Sequence, residues 1–132
     1  MPIAYRTDRI PTPEQIIELY RSAGLERPTS DESRIAQMFA NSNLIASAWD
    51  GPRLVGVARA LTDFCFCCYL ADLAVHAEYQ RHGIGRKLLA LTKEKAGPGS
   101  TLLLRAAPDA MDYYPKLGME TIVDGFLIRR TE

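Results

Sequence analysis

Apolar side chains recur along the chain with two different periods, and the changes of period divide it into elements. Ile3 to Arg6 is a short run suited to a first strand. Thr12-Pro13-Glu14-Gln15 then supplies a capping residue, a proline at the first helical position and a glutamine three residues past the cap. Ile16, Leu19, Tyr20 and Ala23 follow on one helical face, and Gly24 ends that helix. A second start lies at Thr29-Ser30-Asp31-Glu32, with Ile35, Met38 and Phe39 at helical spacing until Asn41-Ser42-Asn43 breaks the pattern.

From Leu44 the period shortens. Leu44 to Trp49 and Leu54 to Leu61, joined by Asp50-Gly51-Pro52-Arg53, read as a hairpin, and Thr62-Asp63 turns the chain into a long strand from Phe64 to Val75. A helix from about Ile84 to Ala96 carries Ile84, Leu88, Leu91 and Lys95 along one line, with Leu89 and Ala96 beside it. Gly97-Pro98-Gly99-Ser100 stops it. Thr101 to Arg105 then reads as a short buried strand, and Pro108 opens a helical segment that reaches Leu117 and ends at Gly118. Thr121 to Val123 and Phe126 to Arg129, around Asp124-Gly125, read as a closing hairpin. The order is strand, two helices, three strands, helix, strand, helix, two strands. No repeat, low-complexity tract or linker interrupts it, so the expectation is one α+β (mixed α/β) domain over residues 1–132.

Composition removes several classes of partner. Sixteen basic and sixteen acidic side chains leave no net charge, which takes away the usual electrostatic case for nucleic acid or an anionic membrane surface. No apolar run approaches a membrane span, and Met1-Pro2-Ile3-Ala4-Tyr5-Arg6 lacks the apolar core of a signal peptide, so a cytoplasmic location is expected. Cys65, Cys67 and Cys68 are an odd number of thiols on one strand, read as small buried strand residues. Neither His76 nor His82 completes a zinc spacing with them, and no metal is expected.

Against this neutral background one basic cluster stands out. An apolar strand ends at Val75, a polar turn follows, and Gln80-Arg81-His82-Gly83-Ile84-Gly85 leads straight into the amphipathic helix with Arg86 and Lys87 in its first turn. Several backbone N–H groups therefore converge at a helix start, glycine permits close approach, and positive charge surrounds the turn, which makes an anion cradle. The Lys-Ser/Thr ending of a P-loop is missing.

Gln80 through Gly85, preceded by Leu73-Ala74-Val75 and followed downstream by Tyr113-Tyr114-Pro115-Lys116-Leu117-Gly118-Met119, resembles the two signature motifs of the GNAT-type acyl-CoA N-acyltransferases. The resemblance covers roughly Leu54 to Arg130. It implies a mostly antiparallel central sheet of about six to seven strands flanked by about four helices. It also implies acetyl-CoA as co-substrate, no metal, and acetyl transfer by direct attack of a small-molecule primary amine; the alternative is an acyl-CoA-binding or regulatory module without catalysis. Closing strands of this fold pair across subunits in some relatives, so a homodimer is a further expectation.

Residue roles follow from the same resemblance. The backbone of Leu73, Ala74 and Val75 would pair with the pantetheine arm, and the diphosphate would lie on the turn formed by Gln80, Arg81, His82, Gly83, Ile84, Gly85, Arg86 and Lys87. Leu73 would donate its amide to the oxyanion, and Tyr114 would protonate the departing thiolate, with Tyr113 packed inward. Pro115 departs from the family pattern and biases Tyr114 away from helical dihedrals; Ala107 stands where many relatives have an asparagine for the CoA arm. Asp72, the only carboxylate in its apolar strand, is the candidate general base if burial raises its pKa, and otherwise a partner for an arginine or a loop. Strict alternation would place it with Cys68 and Leu70, although the family's bulge in this strand upsets parity. His76 and His82 read as exposed turn residues. Tyr20, Met38, Phe39 and Phe126 are candidate walls of an acceptor pocket or, individually, plain core.

Overall fold

The computed structural model describes residues 2–132. A five-stranded sheet in the order β1-β2-β3-β4-β5 organises the chain. Its strands are β1 (Ala4–Arg6), β2 (Leu44–Asp50), β3 (Arg53–Thr62), β4 (Cys67–Val75) and β5 (Thr101–Leu103), and its helices are α1 (Pro13–Ala23), α2 (Glu32–Ala40) and α3 (Ile84–Ala96). Neighbouring strands run antiparallel except β4 and β5, which are parallel. Among the described residues, no helix is long and apolar enough to cross a membrane.

Local chemistry accounts for the boundaries. Thr12 and Gln15 form the reciprocal capping box of α1, with Pro13 at its start and Gly24 left-handed at its end. Asp31 caps α2 by accepting from the Arg34 amide. The two layers of core then fall on opposite faces of the sheet. Ile16, Leu19, Tyr20, Ile35 and Phe39 of α1 and α2 pack with Ile45, Val57 and Ala74. Ile84, Leu88 and Ala96 of α3 pack with Ala46, Ala58, Cys68 and Leu70 on the other. Burying a Leu or Ile side chain contributes about 1.5–3 kcal/mol, so these two clusters hold the layers together.

The long strand that runs on to Val75 begins three residues later than Phe64, because Asp63 Oδ1 accepts from the amides of Cys65, Phe66 and Cys67 and draws them into a loop. Of the three thiols only Cys68 is buried. The buried line of α3 runs through Ile84, Leu88, Thr92 and Ala96, and Lys95 is exposed; Thr92 satisfies its hydroxyl by donating to the Leu88 carbonyl. The helix expected from Pro108 to Leu117 is instead two single 3-10 turns, Pro108–Ala110 and Tyr114–Leu117; Pro108 suits a helix start, but Pro115, inside the expected helix, lacks the N–H that a continuous helix needs.

The closing hairpin does not form. Residues 121–130 pair with no strand, and Val123, Phe126 and Ile128 are 94–101% exposed. Alternation alone does not make a strand: β5 is three residues long, its own flanks exposed, and offers too short an edge to template a hairpin. Among the described residues the sheet therefore has five strands and three α-helices stand around it, fewer of each than the sequence led us to expect.

Candidate active site

The site begins where β4 and β5 part. They pair only through Cys67–Tyr69 and Thr101–Leu103, so beyond Leu70 the edge of β4 that faces β5 has no strand beside it. A cleft of about 620 Å³ opens there, between the second half of β4 and the segment from Leu104 to Leu117. Leu73, Ala74 and Val75 line it together, and the Gly-rich turn closes one end.

A bulge in β4 decides which side chains face which layer. Arg59 pairs with Asp72 but Ala60 pairs with Leu70, so Ala71 is an extra residue. Before the bulge, Cys68 and Leu70 pack against α3; after it Leu73 and Val75 do, and Ala74 turns to the α1 side. Asp72 thus leaves the face it would share with Cys68 and Leu70 and points at α1.

There Asp72 meets three donors. Arg27 Nε donates to Oδ1 at 2.6 Å, Arg59 Nε to Oδ2 at 2.6 Å, and the buried Tyr20 hydroxyl to Oδ2 at 2.7 Å. Burial by itself would raise the carboxyl, but the pairing with Arg59, then Arg27 and the Tyr20 hydroxyl, outweighs it and holds Asp72 below the ordinary carboxylate range. The raised pKa on which a base role rested is therefore reversed. Both of its oxygens accept hydrogen bonds, and it does not line the cleft. Pattern reading did not single out Arg27 and Arg59, and it placed Tyr20 as a pocket wall or plain core rather than as a donor to Asp72. The available signal was Arg59, a charge inside the apolar run of β3 directly opposite the only carboxylate of β4.

The turn into α3 keeps its expected shape. Gln80 Nε2 donates to the Val75 carbonyl at 3.1 Å, Arg81 and Gly83 adopt left-handed φ of 68° and 79°, and Gly83 caps α3 with no side-chain hydrogen bond. The first amides of the helix are thus free of side-chain caps. No acidic residue occupies this first turn, where Asp or Glu would complement the helix dipole; Arg86 and Lys87 stand there instead. Cations at this end do not complement the dipole of their own helix. Gln80, Arg81, Gly83, Ile84, Gly85 and Arg86 line the cleft. His82 and Lys87 do not; His82 is exposed and the Lys87 ammonium lies 4.7 Å from the Tyr5 ring centroid.

Both tyrosines of the second motif line the cleft with their rings edge to face, 5.0 Å apart. Tyr114 is the half-buried one, and burial, with Tyr113 adding to it, pushes its phenol above the usual tyrosine value. Tyr113 is not packed inward: it is 39% exposed, and its hydroxyl covers Gly85 so closely that a Cβ there would lie 2.8 Å from it. A larger residue at position 85 would thus have to displace the Tyr113 hydroxyl from the mouth of the cradle. His76 is buried, unlike the exposed turn residue expected, with Nδ1 accepting from the Glu78 amide and Nε2 2.9 Å from Arg53 Nη2. None of the four proposed acceptor walls lines the cleft: Tyr20 and Phe39 are core, Met38 packs beside them, and Phe126 is exposed.

A splayed parallel pair, a glycine turn at its end and an uncapped basic helix start define an acyl-CoA-type transferase fold. Residues 12–127 match the model of the acetyltransferase (GNAT) domain, and the chain belongs to that family. Among curated proteins it is similar to the uncharacterized N-acetyltransferase ycf52 of Porphyra purpurea, 35% identical over 85 residues, 63% of this chain and 49% of that protein. The match thus spans about half of that relative's length. Among solved structures it superposes on protein SA2161 of meticillin-resistant Staphylococcus aureus with a TM-score of 0.83 at 22% identity, covering 98% of this chain and 100% of that one. It also superposes on the GNAT-family acetyltransferase SP0256 of Streptococcus pneumoniae with a TM-score of 0.74 at 26% identity, covering 99% and 100%.

Proposed function

We propose that residues 1–132 act as one acetyl-CoA-dependent N-acetyltransferase unit that acetylates the primary amine of a small molecule by direct attack. The observation that carries this is the β4–β5 splay ending on a cationic, uncapped helix start. A thioester is already activated, so the protein needs to orient it and to manage charge and protons. The backbone of Leu73 to Val75 would hold the pantetheine arm, and the amides of the Gly83–Arg86 turn, with Arg81 and Arg86, would hold the diphosphate. The Leu73 amide would face the developing oxyanion.

Tyr114 would give its proton to the departing thiolate; a phenol held in its protonated form by burial is suited to that step. With Asp72 committed to its arginines, no side-chain base is assigned. The amine attacks in its neutral form and releases its proton to solvent. The proposal includes a homodimer, supported by the exposed apolar side chains between Ile122 and Ile128.

The test is release of free CoA thiol from acetyl-CoA against a panel of small amines, alongside a calorimetric acetyl-CoA titration. Tyr114→Phe is expected to lower kcat by about 10²-fold while acetyl-CoA binding survives. Binding without turnover across the panel would favour the non-catalytic module, and no binding at all would refute the reading.

A further inference from the structure

We propose that Arg27 forms a carboxylate-recognising subsite at the acceptor end of the cleft, so that the amine acetylated belongs to a molecule that also carries a carboxylate. The inference rests on the acetyl-transfer reading above and narrows its substrate class. Its starting point is a charge imbalance. Arg27 and Arg59 both donate to one carboxylate, Asp72, whose side chain is fully buried, so the cluster carries one positive charge in excess.

The excess faces the cleft through Arg27, which lines it and keeps 29% of its side chain open, whereas Arg59 keeps 12%. A guanidinium has five N–H donors. In Arg27, Nε serves Asp72, Nη1 the Glu26 carbonyl and Nη2 the Ala71 carbonyl, which leaves two N–H groups in a side chain already held at three points. A rigid guanidinium with spare donors loses little freedom on binding a carboxylate.

Its place in the cleft suits an acceptor. The diphosphate cradle with Arg81 and Arg86 lies at the α3 end; Arg27 comes from the loop after α1 and grips Ala71 at the β4 bulge. Leu73, where the thioester carbonyl would lie, is two residues further along β4, about 7 Å at the rise of a strand. That span fits an amine one or two carbons from its carboxylate.

The rest of the lining opposes a purely cationic acceptor. Among the described residues around the cleft, the cations not assigned to the diphosphate, Arg27, Arg105 and Lys116, stand with a single carboxylate, Asp109. Asp72, the nearest acid to the acceptor end, has its oxygens taken. An amine bearing a second positive charge would meet like charge there.

Two matched series test this: leucine, leucinamide and isoamylamine, and phenylalanine, phenylalaninamide and phenethylamine, with rates compared at equal concentrations of neutral amine. The expected result is a kcat/KM at least about tenfold higher for the carboxylate member of each series, about 1.4 kcal/mol at 25 °C. Arg27→Gln is expected to bring the ratio within about twofold of unity, and Arg27→Lys to restore part of it. Because removing Arg27 also disturbs Asp72, a measurement on the unaltered protein stands beside it: propionate should compete with the amine and not with acetyl-CoA. Equal or faster turnover of the amides or simple amines overturns the inference, as does propionate competing with acetyl-CoA alone. Acetyl-CoA binding with no turnover of any of the six overturns it while leaving the binding reading intact; absence of acetyl-CoA binding removes both.

Discussion

Asp72 is a carboxylate taken wholly out of water, and its three donors determine what its removal would do. Asp72→Asn leaves two guanidiniums without their counter-charge, a loss of the kind that costs about 3–5 kcal/mol when one partner of a buried ion pair is deleted. The pH dependence has a definite sign. An unfolded Asp titrates near about 3.9, and in the folded protein Arg59, Arg27 and Tyr20 hold Asp72 below that. Between the two values the unfolded chain binds more protons, so stability from this group is fully present above the unfolded pKa and is lost as pH falls through the folded one. Unfolding measured from neutral pH down through the carboxylate range should show the stability gap between the native protein and Asp72→Asn shrinking on the acid side. A gap that stays constant would mean that Asp72 is not held ionised by its partners.

At the scale of elements, what the sequence revealed and what it hid divide along one physical line. Features set by neighbours in the chain were legible. The Thr12–Gln15 capping box, the turn at residues 50–53 and the whole of α3 stand where local pattern put them. Features set by distant partners were not: Arg27 reaches Asp72 across 45 residues, and nothing around Pro28 and Thr29 announces it. What stayed hidden is the cluster around Asp72, where the acceptor is proposed to bind, while the turn from Gln80 to Gly85, where the cofactor is proposed to lie, was written locally. Residues 121–130 make the same point in reverse, since their pattern alternates well but no adjacent edge receives it. The contact of α3 with β3 is also long-range, and it depends on Gly56. A Cβ at that position would lie 2.9 Å from Leu88 Cδ1 and 3.0 Å from Ile84 Cγ2. Gly56→Ala should cost about 1–3 kcal/mol by overpacking and lower Tm accordingly. Ile84 is the first residue of α3, so acetyl-CoA affinity should fall with it. Thermal unfolding with a binding titration checks both, and an unchanged Tm would show that α3 can shift without loss.

For the whole molecule the informative quantity is the distribution of a charge that sums to zero. Sixteen cations balance sixteen anions, yet Arg81, Arg86 and Lys87 gather at the start of a helix whose first turn has no acid. Placing cations at that end opposes the helix dipole by about 0.3–1 kcal/mol each, a cost that bound anionic charge would reverse. Folding and binding should therefore respond differently to salt. The surface pairs Arg6–Asp8 and Arg53–Glu78 are exposed and contribute little, so unfolding should move only slightly with ionic strength. Acetyl-CoA binding should weaken severalfold between about 0.01 M and about 1 M salt, as the screening length falls from about 30 Å to about 3 Å. Arg81→Ala should both weaken binding at low salt and flatten that dependence, because one of the screened charges is gone. Calorimetric titrations at several salt concentrations, paired with thermal unfolding in the same buffers, separate the two effects. Salt-independent affinity would mean that the helix start does not hold the diphosphate, and the cations around it would then need another ligand.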